Sequence, residues 1–561
     1  MSSYNLVFLV LSLLNVSLCQ EDTVTATVAE GQLRGKVAKT VNGVTYYSFQ
    51  GIPYAKPPTG KLRFKNPEPV DPWEGIRDAL EEGYICPQYG MVMNANNDIS
   101  GEEDCLFVNV YTLSLESNSE NPNATMVWIH GGAYQTGSGN IESARPDFLL
   151  EQGVNVVTLN YRLSALGFLS TGDDVIPGNF GLKDQVLALK WVQTNIAQFG
   201  GSPSKITIFG QSAGGASIHY QVISPLAKGL FQGAIAESGS ALGSTVYETP
   251  AKARQRTIRL CQALDLDSDN STEILEYLQT MFTEDIIQTV TYSLTAEQSI
   301  RESVHFRPTS EENSSGDQQF ITDEPINLLA AGIFNDVPFI SGTVTDEGMV
   351  MLMEIQGDSS KLETFNNNMA YMIPENLNVD IDSDEGKELG EKIRSFYVNG
   401  RNLTQDTHAR DELPHTMFEY GTVKHVQMQA KLAKSPVYQY YFTFKGSSST
   451  VKHFQDNDYS AVGHGEELKY LFYDPRQNYS TGSPEQITSD RIVKLWTNFA
   501  KTGNPTPDDD AVLENVTWSP ATDEEHNYLE IGSDLSLKQD LQPSRMEFWE
   551  EEYETYDSWP Q

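Results

Sequence analysis

Short apolar runs rich in β-branched and aromatic residues recur through the first half of the chain. They fall at residues 44–49, 106–112, 125–129, 154–160 and 206–209, and each reads as a strand. Leu182 to Ile196, between two of them, has the apolar spacing of an amphipathic helix. Strands separated by crossover helices predict an α/β protein whose large, mostly parallel central sheet carries helices on both faces. Val337-Pro-Phe-Ile-Ser341 and Val437-Tyr-Gln-Tyr-Tyr-Phe-Thr443 look like later strands of the same sheet. Residues 346–433 are helical in pattern with Ser/Asp-rich interruptions, which predicts a helical cap inserted between those strands. No internal repeat or long linker divides the chain, so residues 20–561 are expected to form one domain, large as that is.

Charge narrows the partners. With 38 Lys+Arg against 77 Asp+Glu the formal net charge is −39, a field that repels nucleic acid and anionic membrane surfaces. No basic run reverses it locally. Residues 1–19 contain no charged side chain and an apolar run from Leu6 to Leu14, with small Ser17 and Cys19 placed for cleavage before Gln20. They read as a secretory signal peptide, the run being too short for a comfortable membrane span. The C-terminal stretch has no hydrophobic tail for a lipid anchor. Sequons at Asn123, Asn270, Asn313, Asn402, Asn478 and Asn515 fit the same extracellular destination as a set. Beyond the leader three cysteines remain. Cys86 and Cys105 would close a short loop in an oxidising compartment, and Cys261 reads as a buried free thiol.

The chemistry centres on Gly210-Gln-Ser-Ala-Gly214, between the strand ending at Phe209 and a stretch that can start a helix. G-x-S-x-G in that context is a nucleophile elbow: a strained turn that lifts a serine hydroxyl out of the sheet. The following helix aims its free N–H groups at any oxyanion formed there. Ser212 is therefore the candidate nucleophile. His130-Gly-Gly-Ala-Tyr134 follows directly on the strand Met126 to Ile129, where glycines let backbone N–H groups crowd a substrate. Gly131, Gly132 and Ala213 are the candidate oxyanion donors. A serine needs a base, and the base needs an acid to orient it. His464 lies in a glycine-flanked loop after a strand; His453, in a Lys/Asp/Gln loop, is the competitor. For the acid, the loop Gly342-Thr-Val-Thr-Asp-Glu-Gly348 offers Asp346 and Glu347, which spacing does not separate; the other of the two reads as a solvated loop carboxylate. Nothing in the sequence implies a metal or a cofactor.

These motifs together resemble the type-B carboxylesterases, the family that also contains the cholinesterases, and in particular its secreted arthropod branch. The stretch Phe199 to Gly214 is similar to the family's active-site signature throughout. Glu103-Asp-Cys-Leu-Phe-Val-Asn-Val-Tyr111 is similar to a second signature, with Phe107 where tyrosine is usual. Gln50-Gly-Ile-Pro-Tyr-Ala-Lys-Pro-Pro58, Asn160-Tyr-Arg-Leu163 and Gly178-Asn-Phe-Gly-Leu-Lys-Asp-Gln185 are further matches, and the resemblance spans about residues 24–549. It implies an α/β-hydrolase fold and a serine esterase in which Glu347, not Asp346, is the acid. It also implies a Cys86–Cys105 disulfide and structural ion pairs Arg63–Glu103 and Arg162–Asp184. Ser238 would stand behind the triad.

The implied substrate is a small apolar carboxylic ester. Residues 87–104 hold no Trp to face a quaternary ammonium, and Gln211 stands where cholinesterases carry Glu, so choline esters are disfavoured. Gly-Gln-Ser-Ala-Gly is the form associated with juvenile hormone esterases, although Ala461 departs from their histidine motif. Hormone-ester hydrolysis is the alternative within the family. A catalytically inactive adhesion or binding relative is the alternative from another class. A lipase would need a large apolar lid, which the polar stretch Asn366 to Glu391 does not suggest.

Overall fold

The computed structural model describes residues 22–89, 99–115, 120–292, 294, 298, 301–302, 304–311, 318–348, 359–403, 415–447, 461–477, 479–556 and 558–559. The leader, His453, Asn313 and Asn478 lie outside the described residues.

In chain order the strands are β1 (Thr23–Val28), β2 (Gly31–Lys39), β3 (Thr45–Pro53), β4 (Ile76–Asp78), β5 (Gln88–Tyr89), β6 (Ile99–Ser100), β7 (Phe107–Thr112) and β8 (Asn123–Ile129). They continue as β9 (Asn155–Leu159), β10 (Gly201–Gln211), β11 (Gly233–Glu237), β12 (Phe339–Val344), β13 (Val437–Phe442), β14 (Asn527–Ile531) and β15 (Leu535–Gln539). The main sheet runs β1-β2-β3-β7-β9-β8-β10-β11-β12-β13-β14-β15, with β4 against β2, while β5 and β6 pair separately. From β9 to β14 every neighbouring pair is parallel. Antiparallel pairs finish both edges.

The parallel strands are buried on both faces, which is why their sequences read as continuous apolar runs. Alternation along β8 and β10 sends Val127, Ile129, Ile206 and Ile208 into one core and Met126, Trp128 and Phe209 into the other. The helices Phe180–Asn195 and Ala213–Ile223 cover the first face with Leu182, Leu189, Val192, Ile218 and Val222. Pro484–Thr502 covers the second with Ile492, Leu495, Trp496 and Phe499. Each large apolar side chain buried this way contributes roughly 1.5–3 kcal/mol over leaving it exposed.

Between β12 and β13 lie the helices Ser359–Asn367, Asp384–Val398 and His415–Leu432. The first two build a third core, including Phe365, Leu389, Ile393 and Tyr397, closed by Trp549 and Tyr553 of the C-terminal helix Pro543–Thr555.

The strand at 206–209 is longer than its apolar run: β10 begins at Gly201, where a register shift lets the polar Ser202–Lys205 segment bulge. The helix expected from Leu182 starts at Phe180, after Asn179 in a left-handed conformation (φ 57°). β11 (Gly-Ala-Ile-Ala-Glu) escapes a reading by β-propensity because its alanines and glycine are weak strand formers, yet it is central and fully buried.

Candidate active site

Strands β8, β10 and β12 end at the same edge of the parallel sheet, the carboxyl edge where open α/β sheets bind ligands. Each is followed by one of the segments singled out above. β8 leads into His130-Gly131-Gly132, β10 into Ser212, and β12 into Asp346-Glu347.

Ser212 sits between β10 and the helix Ala213–Ile223 at φ 61°, ψ −126°, a conformation that L-residues avoid. Its N–H donates to the Glu237 carbonyl at 2.8 Å, and its own carbonyl accepts the Ala216 N–H at 2.8 Å. The turn is thus held on both sides. The oxyanion loop is packed against it: a Cβ on Gly131 would stand 2.5 Å from the Gln211 carbonyl and 3.0 Å from Ser212 Cβ. Only glycine admits that approach. Ala213 is the first residue of its helix, so its N–H has no intrahelical acceptor. Behind the loop, the buried His130 ring stacks on Tyr161 (centroids 4.4 Å apart), whose hydroxyl donates to the His130 carbonyl. Burial lowers the pKa of His130 to about 4, which keeps the imidazole neutral.

The carboxylate and imidazole meet across 117 residues. Glu347 Oε1 accepts the Val344 N–H at 3.0 Å, and Oε2 lies 2.5 Å from His464 Nδ1. The Glu347 side chain is fully buried and that of His464 is 11% exposed. A carboxylate there fixes the proton on Nδ1 and leaves Nε2 as an acceptor. Asp346 does something different and is not a solvated loop carboxylate. Its N–H donates to the Val462 carbonyl and its Oδ2 accepts the Val462 N–H at 2.8 Å, clasping the histidine loop by its backbone. The two neighbouring acids divide the work: one orients the ring, the other orients the loop.

His464 Nε2 faces the elbow. It accepts the side-chain amide N–H of Gln211, the residue before Ser212, at 3.0 Å. Phe418 packs against the same imidazole, centroids 4.3 Å apart with the planes tilted by 33°. Neither contact is written in any local sequence pattern. Two more buried carboxyls lie behind: Glu467 receives the Ser238 and Tyr440 hydroxyls at 3.5 and 3.4 Å, and Glu237 receives the Trp496 indole N–H. Burial pushes Glu237 up to about 8, and burial together with the charges of Glu237 and Glu347 pushes Glu467 well above the usual carboxylate range. Glu347 therefore does not share its pocket with two further full charges.

The ion pairs that the resemblance implies are formed in this structure. Arg63 Nε donates to Glu103 at 2.8 Å, and Arg162 grips Asp184 through Nε (2.8 Å) and Nη2 (2.7 Å) with Asp184 fully buried. Cys86 and Cys105 form a disulfide; Cys261 is buried and unbridged. Among the described residues no cluster of three or more metal-ligating side chains occurs, and no helix is long and apolar enough to cross a membrane.

The carboxylesterase family model matches residues 20–549. The chain belongs to the carboxylesterase family. Among its relatives it is 34% identical to a carboxylic ester hydrolase of Bombus ignitus over 96% of each chain. It is 32% identical to the juvenile hormone esterase of Tribolium castaneum, covering 90% of this chain and 87% of the relative. It is 33% identical to the cholinesterase of Mus musculus over 94% and 87%. The solved structure of juvenile hormone esterase from Manduca sexta, with OTFP covalently attached, superposes with a TM-score of 0.84 at 26% identity, covering 95% of this chain and all of that one. The chain thus has the α/β-hydrolase architecture of that structure over 95% of its length.

Proposed function

We propose that the protein is a secreted serine carboxylesterase acting on small apolar esters, with Ser212 as nucleophile, His464 as general base and acid, and Glu347 as its orienter. The observation that carries this reading is the 2.5 Å contact between Glu347 and His464 Nδ1, with the opposite ring nitrogen turned to the residue beside Ser212. In this mechanism Ser212 Oγ attacks the ester carbonyl carbon as its proton passes to His464 Nε2. The carbonyl oxygen becomes an oxyanion facing the N–H groups of Gly131, Gly132 and Ala213, each such donor contributing about 10²–10³ in rate. The C–O bond to the alcohol breaks, and His464 returns the proton to the departing alkoxide. Water then gives a proton to His464 as it attacks the acyl carbon, the C–Oγ bond breaks, His464 returns the proton to Ser212 Oγ, and the carboxylic acid leaves. Glu347 stays ionised throughout and stabilises the imidazolium. No metal or cofactor enters.

Secretion is supported by the leader-like residues 1–19, by the disulfide and by relatives such as the venom carboxylesterase of Apis mellifera. The test of the mechanism is hydrolysis of a soluble short-chain ester by the purified protein and by Ser212→Ala. The variant should lose activity by several orders of magnitude; equal activity would refute the assignment. A second reading, hydrolysis of a juvenile hormone ester, draws on Gln211 and on relatives of that name from Tribolium castaneum and Heliothis virescens. A panel of alkyl esters alongside a juvenile hormone separates the two, since a hormone esterase should give its highest kcat/KM on the hormone.

A further inference from the structure

The nitrogen on which the proposed chemistry depends is already occupied. His464 Nε2 accepts an N–H from Gln211 at 3.0 Å, whereas the Ser212 hydroxyl forms no hydrogen bond among the described residues. A neutral imidazole whose Nδ1–H is committed to Glu347 has one lone pair left, in the ring plane at Nε2. It accepts one strong donor at a time. Gln211 and Ser212, adjacent in the chain, therefore compete for it.

Gln211 is well placed to hold its share. It is the last residue of β10, paired with Glu237 of β11, and only 7% exposed. Gly465, at φ +76° just after the base, leaves room: a Cβ there would lie 3.3 Å from the Gln211 amide nitrogen. Phe418 packs against the ring, centroids 4.3 Å apart, and restricts its rotation away from either donor.

We propose that Gln211 is a positioning residue that holds His464 in its proton-accepting tautomer at rest and must release Nε2 before Ser212 can use it. The release takes away one hydrogen bond to a partly buried nitrogen and is part of the barrier to acylation. This inference rests on Ser212 and His464 being nucleophile and base. It differs from a scaffold role in sign, because removing the residue speeds the first chemical step.

Two variants test it. Gln211→Met and Gln211→Leu each keep much of the volume without a hydrogen-bond donor or a charge. The readout is the second-order rate constant for covalent labelling of Ser212 by a small organophosphate, alongside KM for a short-chain ester. Loss of one hydrogen bond corresponds to about a 2- to 10-fold faster labelling with KM unchanged. Unchanged or slower labelling in a Gln211→Met or Gln211→Leu protein of wild-type Tm overturns the proposal. The nitrogen itself is read by NMR of protein carrying ¹⁵N-histidine, with His464 assigned from its absence in His464→Gln. The Nε2 resonance should keep its hydrogen-bonded position in Ser212→Ala and move in Gln211→Met; the reverse pattern also overturns it. If Ser212→Ala hydrolyses esters like the wild type, the esterase mechanism fails instead, and the NMR experiment still reports whether Gln211 holds His464.

Discussion

The indole N–H of Trp496 donates to the carboxyl of Glu237 at 2.5 Å, joining a helix on one face of the sheet to the strand whose carbonyl holds the Ser212 N–H. Both side chains are out of reach of water. Burial raises the Glu237 pKa to about 8, so the folded protein keeps a proton at neutral pH that the unfolded chain has shed. Between about pH 4.5 and pH 8 the native state binds more protons than the unfolded one, and stability falls as pH rises through that window. Glu237→Gln retains the acceptor for the indole without the titration. Its Tm should be flatter than the wild type's from pH 5 to pH 9, with the larger advantage at the alkaline end. Parallel Tm curves for the two proteins would contradict this.

The opposite sign applies to a pair of imidazoles buried behind the same sheet. His219, on the helix that follows Ser212, and His425, on the helix that carries Phe418, pack against each other with centroids 4.2 Å apart and planes tilted by 38°. His425 Nε2 meets Ser341 Oγ and Nδ1 meets Gln429, while His219 Nδ1 accepts the Ala241 N–H. Burial lowers the pKa of His425 to about 4, and burial together with the neighbouring His425 holds that of His219 well below its ordinary value. The unfolded chain takes up protons near pH 6.5 that the native state refuses until about pH 4, so stability drops as pH falls across that interval. His425→Gln should lose Tm less steeply between pH 6.5 and pH 4 than the wild type, measured by differential scanning calorimetry.

How much of this was legible beforehand divides by the range of the interaction. The elbow and the glycine loop are local: Gly210, Ser212, Gly214 and Gly131 are dictated by backbone approach within a turn, so the sequence displays them directly. The central parallel strands are nearly as plain, because burial on both faces leaves apolar runs. Asp346 and Glu347 could not be told apart by spacing, since neighbours on one loop differ only in which way each side chain points. The Gln211 contact, the Phe418 contact and the buried Glu237 and Glu467 were invisible for a related reason. Each arises where separate segments converge, 253 residues apart for Gln211 and His464, and a lone Glu or Phe carries no local mark of its partner.

Arg162 and Asp184 illustrate what such long-range partners are worth. Asp184 accepts three donors, the Arg162 backbone N–H at 3.0 Å and two guanidinium N–H groups, while Arg162 Nη1 also reaches the Lys65 carbonyl. Both side chains are almost wholly buried. Removing one charge strands the other in a dry site, at a cost of about 3–5 kcal/mol. Asp184→Asn should lower unfolding stability by that amount in a urea titration. In the fraction that remains folded, KM for a short-chain ester should not change. A stability loss below about 1 kcal/mol would mean that the pair is not desolvated as described.

The sequons can be ranked by what their amide nitrogens are already doing. Asn270 caps its helix through Oδ1, which accepts the Thr272 and Glu273 N–H groups, and this leaves Nδ2 for a sugar. Asn402 likewise uses Oδ1, toward Arg394, and Asn515 is exposed at φ 55°. Asn123 is different. It starts β8, and its Nδ2 donates to Oδ1 of the fully buried Asn155 at 3.2 Å. A glycan on that nitrogen would replace one of its two hydrogens and force a bulky group against the start of β8, disturbing the bond to Asn155 Oδ1, which the Thr112 hydroxyl also supplies. Protein secreted from insect cells, deglycosylated in ¹⁸O water and mapped by mass spectrometry, should carry the label at Asn270, Asn402 and Asn515 and not at Asn123. Label at Asn123 in folded, active protein would show that this end of β8 is more open than its hydrogen bonds imply.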